Sequence, residues 1–260
     1  MNKDTIIEIN NLKMNFGSKE VLKGIDLKIH KGSIIGYIGP NGAGKSTTVK
    51  IILGLLNGYT GSVKVFGEDI SNTSLNYRSK IGYVPEVTEL YEALTAKEYL
   101  TFIGQLYDME YEEADEKALK LMSILGIDYA YESKLASFSK GMKQKVSIIS
   151  SLLHNPEIIF LDEPLSGLDA NSVMIIKEII VYLKKSGKTI FNSSHIMEVV
   201  DNISDRILIL NNGKIVADGN FEEIKNNNFD GSLEEIFNEL TGFNEYKELA
   251  DKFIEAIQEV

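Results

Sequence analysis

With 260 residues, 43% of them hydrophobic and 25% charged, the chain has the size and balance of a soluble globular protein built as one large α/β domain or as a main domain with a subdomain. Its formal net charge of −11 disfavours nonspecific binding to nucleic acid or to an anionic membrane surface, and the lack of cysteine excludes disulfides and thiolate metal sites. No apolar run approaches the ~20 residues of a spanning helix, so we expect neither a membrane crossing nor an N-terminal targeting segment.

The first part of the chain predicts strands and one helix. Apolar and polar residues alternate, as in an antiparallel sheet with one wet face, over residues 6–16, 21–29 and 61–67. Residues 33–38 predict a buried strand, and residues 45–56 predict a helix. The segment between them is therefore a loop that joins the end of a buried strand to the start of a helix.

This loop matches the phosphate-binding pattern G-x-x-x-x-G-K-[ST] at every position. Its residues are Gly39, Pro40, Asn41, Gly42, Ala43, Gly44, Lys45 and Ser46. Glycines at these spacings let backbone N–H groups approach phosphates, and the following helix points its positive end at the same oxygens. Lys45 can reach the β and γ phosphates, and the Ser46 hydroxyl can ligate Mg²⁺. The flanking strand and helix disfavour a chance match, so the chain is predicted to bind a nucleoside triphosphate.

A helical block interrupts the α/β pattern between about residues 86 and 153. It follows a short buried strand predicted over residues 81–85, and a capping-box pattern from Thr95 to Glu98 predicts its first helix start. A second helix is predicted over residues 111–125, with Gly126 at its C-terminal end. We interpret this block as an inserted α-helical subdomain.

Two carboxylates follow the next predicted strand. Residues 157–161 predict a buried parallel strand, and Asp162 and Glu163 come directly after it, at the end where α/β sheets bind ligands. Asp162 would then hold Mg²⁺, and Glu163 would act as general base toward an attacking water. A solvated strand end would be the better interpretation of this pair alone. The complete phosphate-binding loop makes the catalytic interpretation the stronger one.

The rest of the chain predicts a helix at residues 171–185, a strand at 188–192 and a hairpin around Asn212-Gly213. His195 follows the strand, which would lie parallel to the one bearing Asp162. Position alone leaves this histidine open between a structural role and contact with a γ-phosphate. We interpret the other two histidines, His30 and His154, as structural.

Two apolar helical stripes follow near the C-terminus. The first contains Leu233, Ile236, Phe237 and Leu240, and the second contains Tyr246, Leu249, Ala250, Phe253 and Ile257. For both stripes, packing against the chain's own core is favoured over a partner interface. We expect one domain over residues 1–241 and a helical extension over residues 242–260.

The segment Phe138-Ser139-Lys140-Gly141-Met142 precedes a predicted helix that runs to about residue 153. With the phosphate-binding loop and the Asp162-Glu163 pair, it makes the chain resemble the ATP-binding subunits of ABC transporters over residues 5–241. The segment is similar to the family signature, usually Leu-Ser-Gly-Gly-Gln. Without the resemblance it would be an ordinary serine-capped helix. The resemblance implies a P-loop NTPase core with an antiparallel β subdomain and the helical subdomain, and two ATP molecules sandwiched in a head-to-tail dimer.

The resemblance also assigns individual residues. Phe16, otherwise a candidate core phenylalanine, matches the aromatic that stacks on adenine, and His195 matches the switch histidine. Asp162 and Glu163 match the Mg²⁺-site aspartate and the catalytic glutamate, and Asp169 belongs to the loop that links the two sites across the dimer. The residues expected to bind ATP are therefore Phe16, Gly39, Pro40, Asn41, Gly42, Ala43, Gly44, Lys45, Ser46, Thr47, Ser139, Gly141 and Asp169.

Two departures from the family pattern matter. Lys140 and Met142 replace glycine and glutamine in the signature, and Lys140 brings a positive charge close to a phosphate. Glu86 stands where the family usually has a glutamine that contacts Mg²⁺. The expected Mg²⁺ ligands are Ser46, Glu86 and Asp162. Both changes are similar to the bacterial exporter branch of the family.

The resemblance implies an ATPase that powers a separate membrane permease, in the direction of export. The permease would contact a groove near Glu86 and Tyr91, and a second ATP-binding subunit, as a homodimer, would complete each site. The protein would be cytoplasmic, held on the inner face of the cell membrane by the permease, with ATP and Mg²⁺ as cofactors and no nucleic acid as partner.

Three alternatives are disfavoured. A soluble ABC-type ATPase acting on ribosomes or DNA would usually show a second set of motifs or a long insertion, and basic patches. A nucleotide-dependent switch without catalysis does not explain Glu163 and His195, and a small-molecule kinase does not explain residues 138–142.

Overall fold

The computed structural model describes residues 4–71, 75–194, 196–226, 231–242 and 246–258, of which residues 246–249 are described as backbone only. The strands are β1 Thr5–Phe16, β2 Lys19–His30, β3 Ile34–Ile38, β4 Thr60–Val65, β5 Glu68–Asp69, β6 Ile81–Val84, β7 Ile158–Asp162, β8 Thr189–Ser193, β9 Arg206–Asn211 and β10 Lys214–Gly219. The helices are α1 Lys45–Ile52, α2 Ala96–Leu106, α3 Tyr111–Ile124, α4 Lys140–Leu152, α5 Ala170–Lys185, α6 Met197–Ile203, α7 Phe221–Asn226, α8 Leu233–Thr241 and α9 Tyr246–Gln258.

The parallel core is a sheet whose described strands have the order β10-β9-β3-β8-β7-β6. Neighbours from β9 to β6 run parallel, and β10 joins as an antiparallel hairpin partner of β9. Every residue of β3, β7 and β8 is buried, because both faces of a parallel sheet are covered. This burial explains the apolar runs of β3 and β7, whereas β8 also buries the polar residues Thr189, Asn192 and Ser193. The carboxyl ends of these three strands therefore meet at one edge of the sheet.

The second sheet is antiparallel and has the order β2-β1-β4-β5 among the described strands. Alternate residues of β1 and β2, among them Ile7, Ile9 and Leu27, are buried, as the alternating sequence predicts. Their side chains share one apolar cluster with α1 and with residues of the parallel core such as Phe160. The antiparallel subdomain thus packs directly against the element that follows the phosphate-binding loop.

Helices α2, α3 and α4 form the predicted insertion between β6 and β7. The capping box of α2 is present: the Thr95 side chain accepts from the Glu98 amide, and the Glu98 carboxylate accepts from the Thr95 amide. Gly104 lets α2 and α3 approach closely, because a Cβ there would lie 2.6 Å from the Cβ of Ala114. These features, with both sheets, confirm the expected α/β fold with an antiparallel β subdomain and an inserted helical subdomain.

The predicted extent of the first helix was wrong. Helix α1 ends at Ile52 rather than at Leu56, because Gly54 adopts a left-handed conformation with φ +65°. A Cβ at Gly54 would lie 2.7 Å from the Tyr77 hydroxyl and from the Arg78 guanidinium. The main chain therefore turns at a glycine that packs directly against these two side chains. The 45–56 segment has the apolar spacing of a helix, but this tertiary contact ends it early.

The two C-terminal stripes have different outcomes. Leu233 and Ile236 of α8 are buried against β9 and α6, as predicted. In α9, every described side chain is exposed, including Phe253 at 68% and Ile257 at 58%, so the prediction of core packing was wrong for this part of the stripe. Helix α8, in contrast, buries Leu233 and Ile236 in a cluster with Ile207 and Ile209 of β9 and Val200 of α6. The side chains of Tyr246 and Leu249 lie outside the described residues.

None of the helices that the structure describes is both long enough and apolar enough to span a bilayer.

The parallel core depends on an aromatic cluster beneath the site. The Phe191 ring lies 4.8 Å from that of Tyr37 and 5.3 Å from that of Phe160, and all three are buried. We expect Phe191→Ala to lower the free energy of unfolding by about 3–5 kcal/mol, because it leaves a cavity. The matched control Phe253→Ala on exposed α9 should change it by less than about 0.5 kcal/mol. Urea denaturation measures both, and a large loss at Phe253 would show that α9 packs on the core.

Candidate functional site

The phosphate-binding loop connects β3 to α1 and is packed tightly from behind. A Cβ at Gly39 would lie 2.3 Å from the Leu210 carbonyl oxygen, and one at Gly44, where φ is +111°, would lie 2.5 Å from Leu22. Glycine is therefore required at both positions. Gly44 is also the residue before α1 and has no side chain to cap it, which leaves the first amides of the helix available to an anion.

Lys45 places an ammonium group over this loop. Its Nζ donates to the carbonyl oxygens of Gly39 at 2.5 Å and Pro40 at 3.3 Å. Burial lowers the pKa of Lys45, against the opposing effect of the nearby carboxylates of Asp162, Glu163 and Glu86. A partly desolvated positive charge beside backbone amides fits a polyphosphate, whose negative charge would offset the cost of burial.

Asp162, the last residue of β7, is the acidic counterpart of Lys45. It is 5% exposed, and its Oδ2 accepts from the Ser46 hydroxyl at 3.3 Å. Burial raises the pKa of Asp162, and the negative charge of Glu86 raises it further, while the hydroxyls of Ser193 and Ser46 oppose the shift. A cation near this carboxylate would reverse the shift.

The donor set around Asp162 fits Mg²⁺ bound together with phosphate. Within the residues that the structure describes, no group of three His, Cys, Asp or Glu side chains could hold a metal ion by itself. One or two carboxylates completed by phosphate oxygens and water are the usual protein site for Mg²⁺. Asp162, Ser46 and, from across the cavity, Glu86 could serve in this way.

Glu163 follows in a strained backbone conformation. Its φ is +49°, a left-handed value that is uncommon outside glycine and that costs free energy unless the surroundings impose it. Two main-chain hydrogen bonds impose it: the Glu163 amide donates to the Ser193 carbonyl at 2.9 Å, and the Ser166 amide donates to the Glu163 carbonyl at 3.1 Å. The turn after β7 is thus fixed to the end of β8.

These groups line one cavity of about 290 Å³. The residues that line it are Lys19, Val21, Asn41, Gly42, Gly44, Lys45, Ser46, Thr47, Glu86, Asp162 and Glu163. No motif indicated Lys19 and Val21; their signal is position, because Lys19 pairs with Phe16 across the hairpin of β1 and β2. Phe16 is 47% exposed beside this cavity wall, so the alternative of a core phenylalanine was wrong.

The predicted residues Ser139, Gly141 and Asp169 line a different cavity, of about 470 Å³. Ser139 caps α4 and accepts from the Met142 amide at 3.2 Å, and Asp169 caps α5 and accepts from the Ser172 amide at 3.0 Å. The Ser172 hydrogen bonds hold the pKa of Asp169 below its ordinary value. The structure therefore divides the expected ATP-binding set between two cavities of one chain.

The signature segment and the loop after Glu163 touch at this second cavity. Lys140 Nζ donates to the Ser166 hydroxyl at 3.2 Å. The aliphatic carbons of Lys140 pack over Gly167, and a Cβ on that glycine would lie 3.0–3.1 Å from them. A Cβ on Gly141 would lie 2.8 Å from the Gly167 carbonyl oxygen. Lysine at position 140 thus adds an ammonium group, which the usual glycine lacks, to a cavity that Lys145 and Asp169 also line.

Two of the three histidines, His30 and His154, lie within the residues that the structure describes. His195 lies outside the described residues, although β8, which precedes it, pairs in parallel with β7 as expected. His154 stacks on Tyr107 with ring centroids 3.6 Å apart, its Nε2 lies 3.1 Å from the Ile81 carbonyl oxygen, and burial lowers its pKa. His30 ends β2 beside Thr5. Both of these contacts agree with structural roles.

Comparison with known proteins agrees with this geometry. A family model described as ABC transporter matches residues 22–166. An uncharacterized ABC transporter ATP-binding protein of Methanocaldococcus jannaschii is 41% identical over 218 residues, 84% of this chain and 79% of that protein. The linearmycin resistance ATP-binding protein LnrL of Bacillus subtilis is 37% identical over 214 residues, 82% of this chain and 69% of LnrL. A solved structure described as the ATP binding subunit of an ABC transporter matches with a TM-score of 0.85 and 33% identity, covering 91% of this chain and 100% of the other.

The raised pKa of Asp162 predicts an effect on stability. Because its folded-state pKa lies above its unfolded value, the ionised carboxylate destabilises the fold at neutral pH in protein purified without nucleotide. We expect Asp162→Asn to raise the urea midpoint at pH 7. The gain should shrink as the pH falls through the folded-state pKa toward about 3.9, the ordinary value for aspartate.

Asp169→Asn is the matched control for this measurement. The pKa of Asp169 is lowered, so its ionised form contributes stability above the ordinary aspartate pKa, and its replacement should give no gain at pH 7. A midpoint that falls or stays constant in Asp162→Asn would contradict the account of a costly buried carboxylate.

Proposed function

The chain belongs to the ABC transporter family as one of its ATP-binding subunits, and on that premise we propose that it hydrolyses ATP, with Mg²⁺, to power a separate membrane permease. One observation carries the proposal: the loop lysine, a buried aspartate and a glutamate in a strained turn line a single cavity at the carboxyl edge of the parallel sheet. Binding alone would not require the glutamate. Hydrolysis needs a group that can accept a proton.

In this proposal the phosphates lie against the loop amides and the N-terminus of α1. Lys45 transfers its hydrogen bonds from the carbonyls of Gly39 and Pro40 to phosphate oxygens, and its positive charge then stabilises the negative charge that develops during the reaction. Asp162 and Ser46, with Glu86 as a further ligand, hold Mg²⁺. Bound by these residues, Mg²⁺ would supply positive charge that offsets the negative charge of the phosphates.

Glu163 acts as general base in the proposed reaction. It accepts a proton from a water molecule whose oxygen forms a bond to the γ-phosphorus, while the bond from that phosphorus to the β,γ-bridging oxygen breaks. The products are ADP and inorganic phosphate. Two main-chain hydrogen bonds support this role, because they fix the turn that carries the carboxylate: the Glu163 amide donates to the Ser193 carbonyl, and the Ser166 amide donates to the Glu163 carbonyl.

A second copy of the chain is proposed to complete each site. The cavity with Ser139, Gly141 and Asp169 offers a helix N-terminus and the Lys140 ammonium to an anion, and it lies apart from the phosphate-binding loop of its own chain. A head-to-tail homodimer would place this cavity of one subunit against the γ-phosphate bound by the other. Phe16 is proposed to stack on the adenine, and His195 to contact the γ-phosphate.

The partner in the membrane is proposed to be a permease that works in export. LnrL is named for resistance to linearmycin, which supports export, and the relatives do not favour action on ribosomes or DNA. The loop from Glu86 to Tyr91, with Tyr91 65% exposed and Val87 67% exposed, is the proposed contact. The protein would then lie on the cytoplasmic face of the membrane, held there by the permease.

Replacing the proposed general base separates binding from turnover. Glu163→Gln keeps the size of the side chain and removes its ability to accept a proton. We expect MgATP binding to persist and the rate of phosphate release to fall at least about 100-fold. Equilibrium binding of a fluorescent ATP analogue and a phosphate-release assay measure the two quantities. Phosphate release at the wild-type rate would reject Glu163 as the base.

Charge at position 140 tests the proposed dimer. In the Glu163→Gln background, MgATP should convert the chain from monomer to dimer in size-exclusion chromatography with light scattering. Lys140→Glu should abolish the dimer without loss of ATP binding, because it sets a carboxylate against the γ-phosphate of the other subunit. Lys140→Gly, the usual family residue, is the matched control and should still dimerise. A dimer that persists with Lys140→Glu would place the interface elsewhere.

A further inference from the structure

Gln144 is a buried amide that none of the site residues described above explains. It lies in the second turn of α4, follows the signature segment, and is only 3% exposed. A buried side-chain amide costs free energy unless its N–H and C=O groups have hydrogen-bond partners, so the role of Gln144 lies in the groups that it contacts.

Its two polar atoms reach different segments of the chain. The Gln144 Nε2 donates to the Pro164 carbonyl at 3.1 Å, and the Gln144 Oε1 accepts from the Thr88 hydroxyl at 2.6 Å. Because the Pro164 carbonyl can only accept, it determines which end of the amide faces it. The oxygen must then face Thr88, whose hydroxyl donates.

The first contact fixes the main chain immediately after Glu163. Pro164 has no N–H, so its buried carbonyl is the single backbone group through which a hydrogen bond can hold this residue. On the other side of the turn, the Glu163 amide is bonded to the Ser193 carbonyl. The strained conformation of Glu163 is therefore held from both ends, by β8 before it and by Gln144 after it.

The second contact reaches the loop that follows β6. Thr88 is half-buried, whereas its neighbours Glu86 and Val87 are exposed. The Thr88 hydroxyl thus bonds the start of this loop to α4. A second bond, from Lys143 Nζ to the Glu92 carboxylate, joins the loop to α4 at the exposed surface. Through Gln144, the loop and the turn at Glu163 share one buried amide, although they are far apart in the sequence.

We propose that Gln144 is a positioning residue for ATP hydrolysis, which ties the Glu86–Thr88 loop to the turn that carries Glu163, so that a displacement of the loop alters the placement of that carboxylate. This inference rests on the proposed function, since it concerns the residue assigned as general base. The nearby bond from Lys140 to Ser166 is exposed to water and fixes the same turn less strongly.

The central variant is Gln144→Met, which keeps the length of the side chain and removes both hydrogen bonds. We expect kcat for MgATP to fall about tenfold, as loss of a buried hydrogen bond allows, while KM changes less than about twofold. The matched control is Ser151→Ala, which removes a buried hydroxyl of α4 that donates to the Ile148 carbonyl within the helix. Its kcat should stay at the wild-type value.

A readout independent of activity uses amide hydrogen exchange in protein without nucleotide. The Ser166 amide, bonded to the Glu163 carbonyl, should exchange faster in Gln144→Met than in the wild type, and the amides of β8 should be unchanged. Faster exchange at both places would indicate general destabilisation and would overturn a positioning role. Unchanged exchange at Ser166 would overturn it as well.

Two substitutions at Thr88 test the link to the loop. Because Thr88 lies outside α4, neither substitution changes a side chain of that helix. Thr88→Val should lower kcat by a smaller factor than Gln144→Met, and Thr88→Ser, which keeps the hydroxyl, should restore the wild-type kcat. Added to Gln144→Met, Thr88→Val should cause no further loss, because the contact it removes is already absent. Independent, multiplying effects would show that the two residues do not act together.

The outcomes separate this inference from the proposed function. If the wild type releases no phosphate in a Glu163-dependent manner, the proposed function fails, and the exchange measurement alone decides the positioning of the turn. If the wild type is active and Glu163→Gln is inactive, but Gln144→Met keeps the wild-type kcat, the inference fails and the function stands.

Discussion

The site depends on the parallel pairing of β3, β8 and β7, which brings three strand ends to one edge of the sheet. Asp162 lies opposite Ser193 in the register of β7 and β8, and the next residue, Glu163, donates its amide to the same serine's carbonyl. Because β3 pairs with the other side of β8, the phosphate-binding loop starts from this edge too. A shift in this register would separate the lysine from both carboxylates, so the sheet sets the chemistry of the cavity.

The charges at this edge are poised for a ligand. Burial lowers the pKa of Lys45 and raises the pKa of Asp162, so that both charged forms are costly in the folded protein. The negative charge of a polyphosphate would offset the free-energy cost of desolvating the lysine, and a divalent cation would offset that of desolvating the aspartate. Stability and function are therefore opposed at this site, and its charged groups are kept at a cost that the hydrophobic core beneath them offsets.

Much of the fold and part of the site follow from local sequence. The loop from Gly39 to Ser46, the apolar run before Asp162 and the capping box at Thr95 are short-range patterns, and the structure has each where it was predicted. Contacts between distant segments could not be predicted in this way. The end of α1 depends on Tyr77 and Arg78 packing at Gly54. The apolar stripe of α9 likewise does not reveal that its described side chains, such as Phe253 and Ile257, are exposed.

The same limit applies to the site. The family resemblance, rather than spacing, indicated Ser139 and Asp169. Spacing carries no information on direction in space, and the structure shows that both residues line a cavity apart from Lys45 in the same chain. Gln144 gave no signal, because a buried glutamine in an amphipathic helix has the same pattern as a solvated one. Its role became visible only through its contacts with Thr88 and Pro164.

The most direct test of the account is the composition of the complex in its native membrane. The tagged chain would be extracted from membranes of its source organism in mild detergent, and the intact complex would be weighed by native mass spectrometry. The account predicts two copies of this chain bound to a polytopic membrane protein, with the complex retained when ATP is added. Recovery of the chain only from the soluble fraction, alone or with ribosomes, would contradict it.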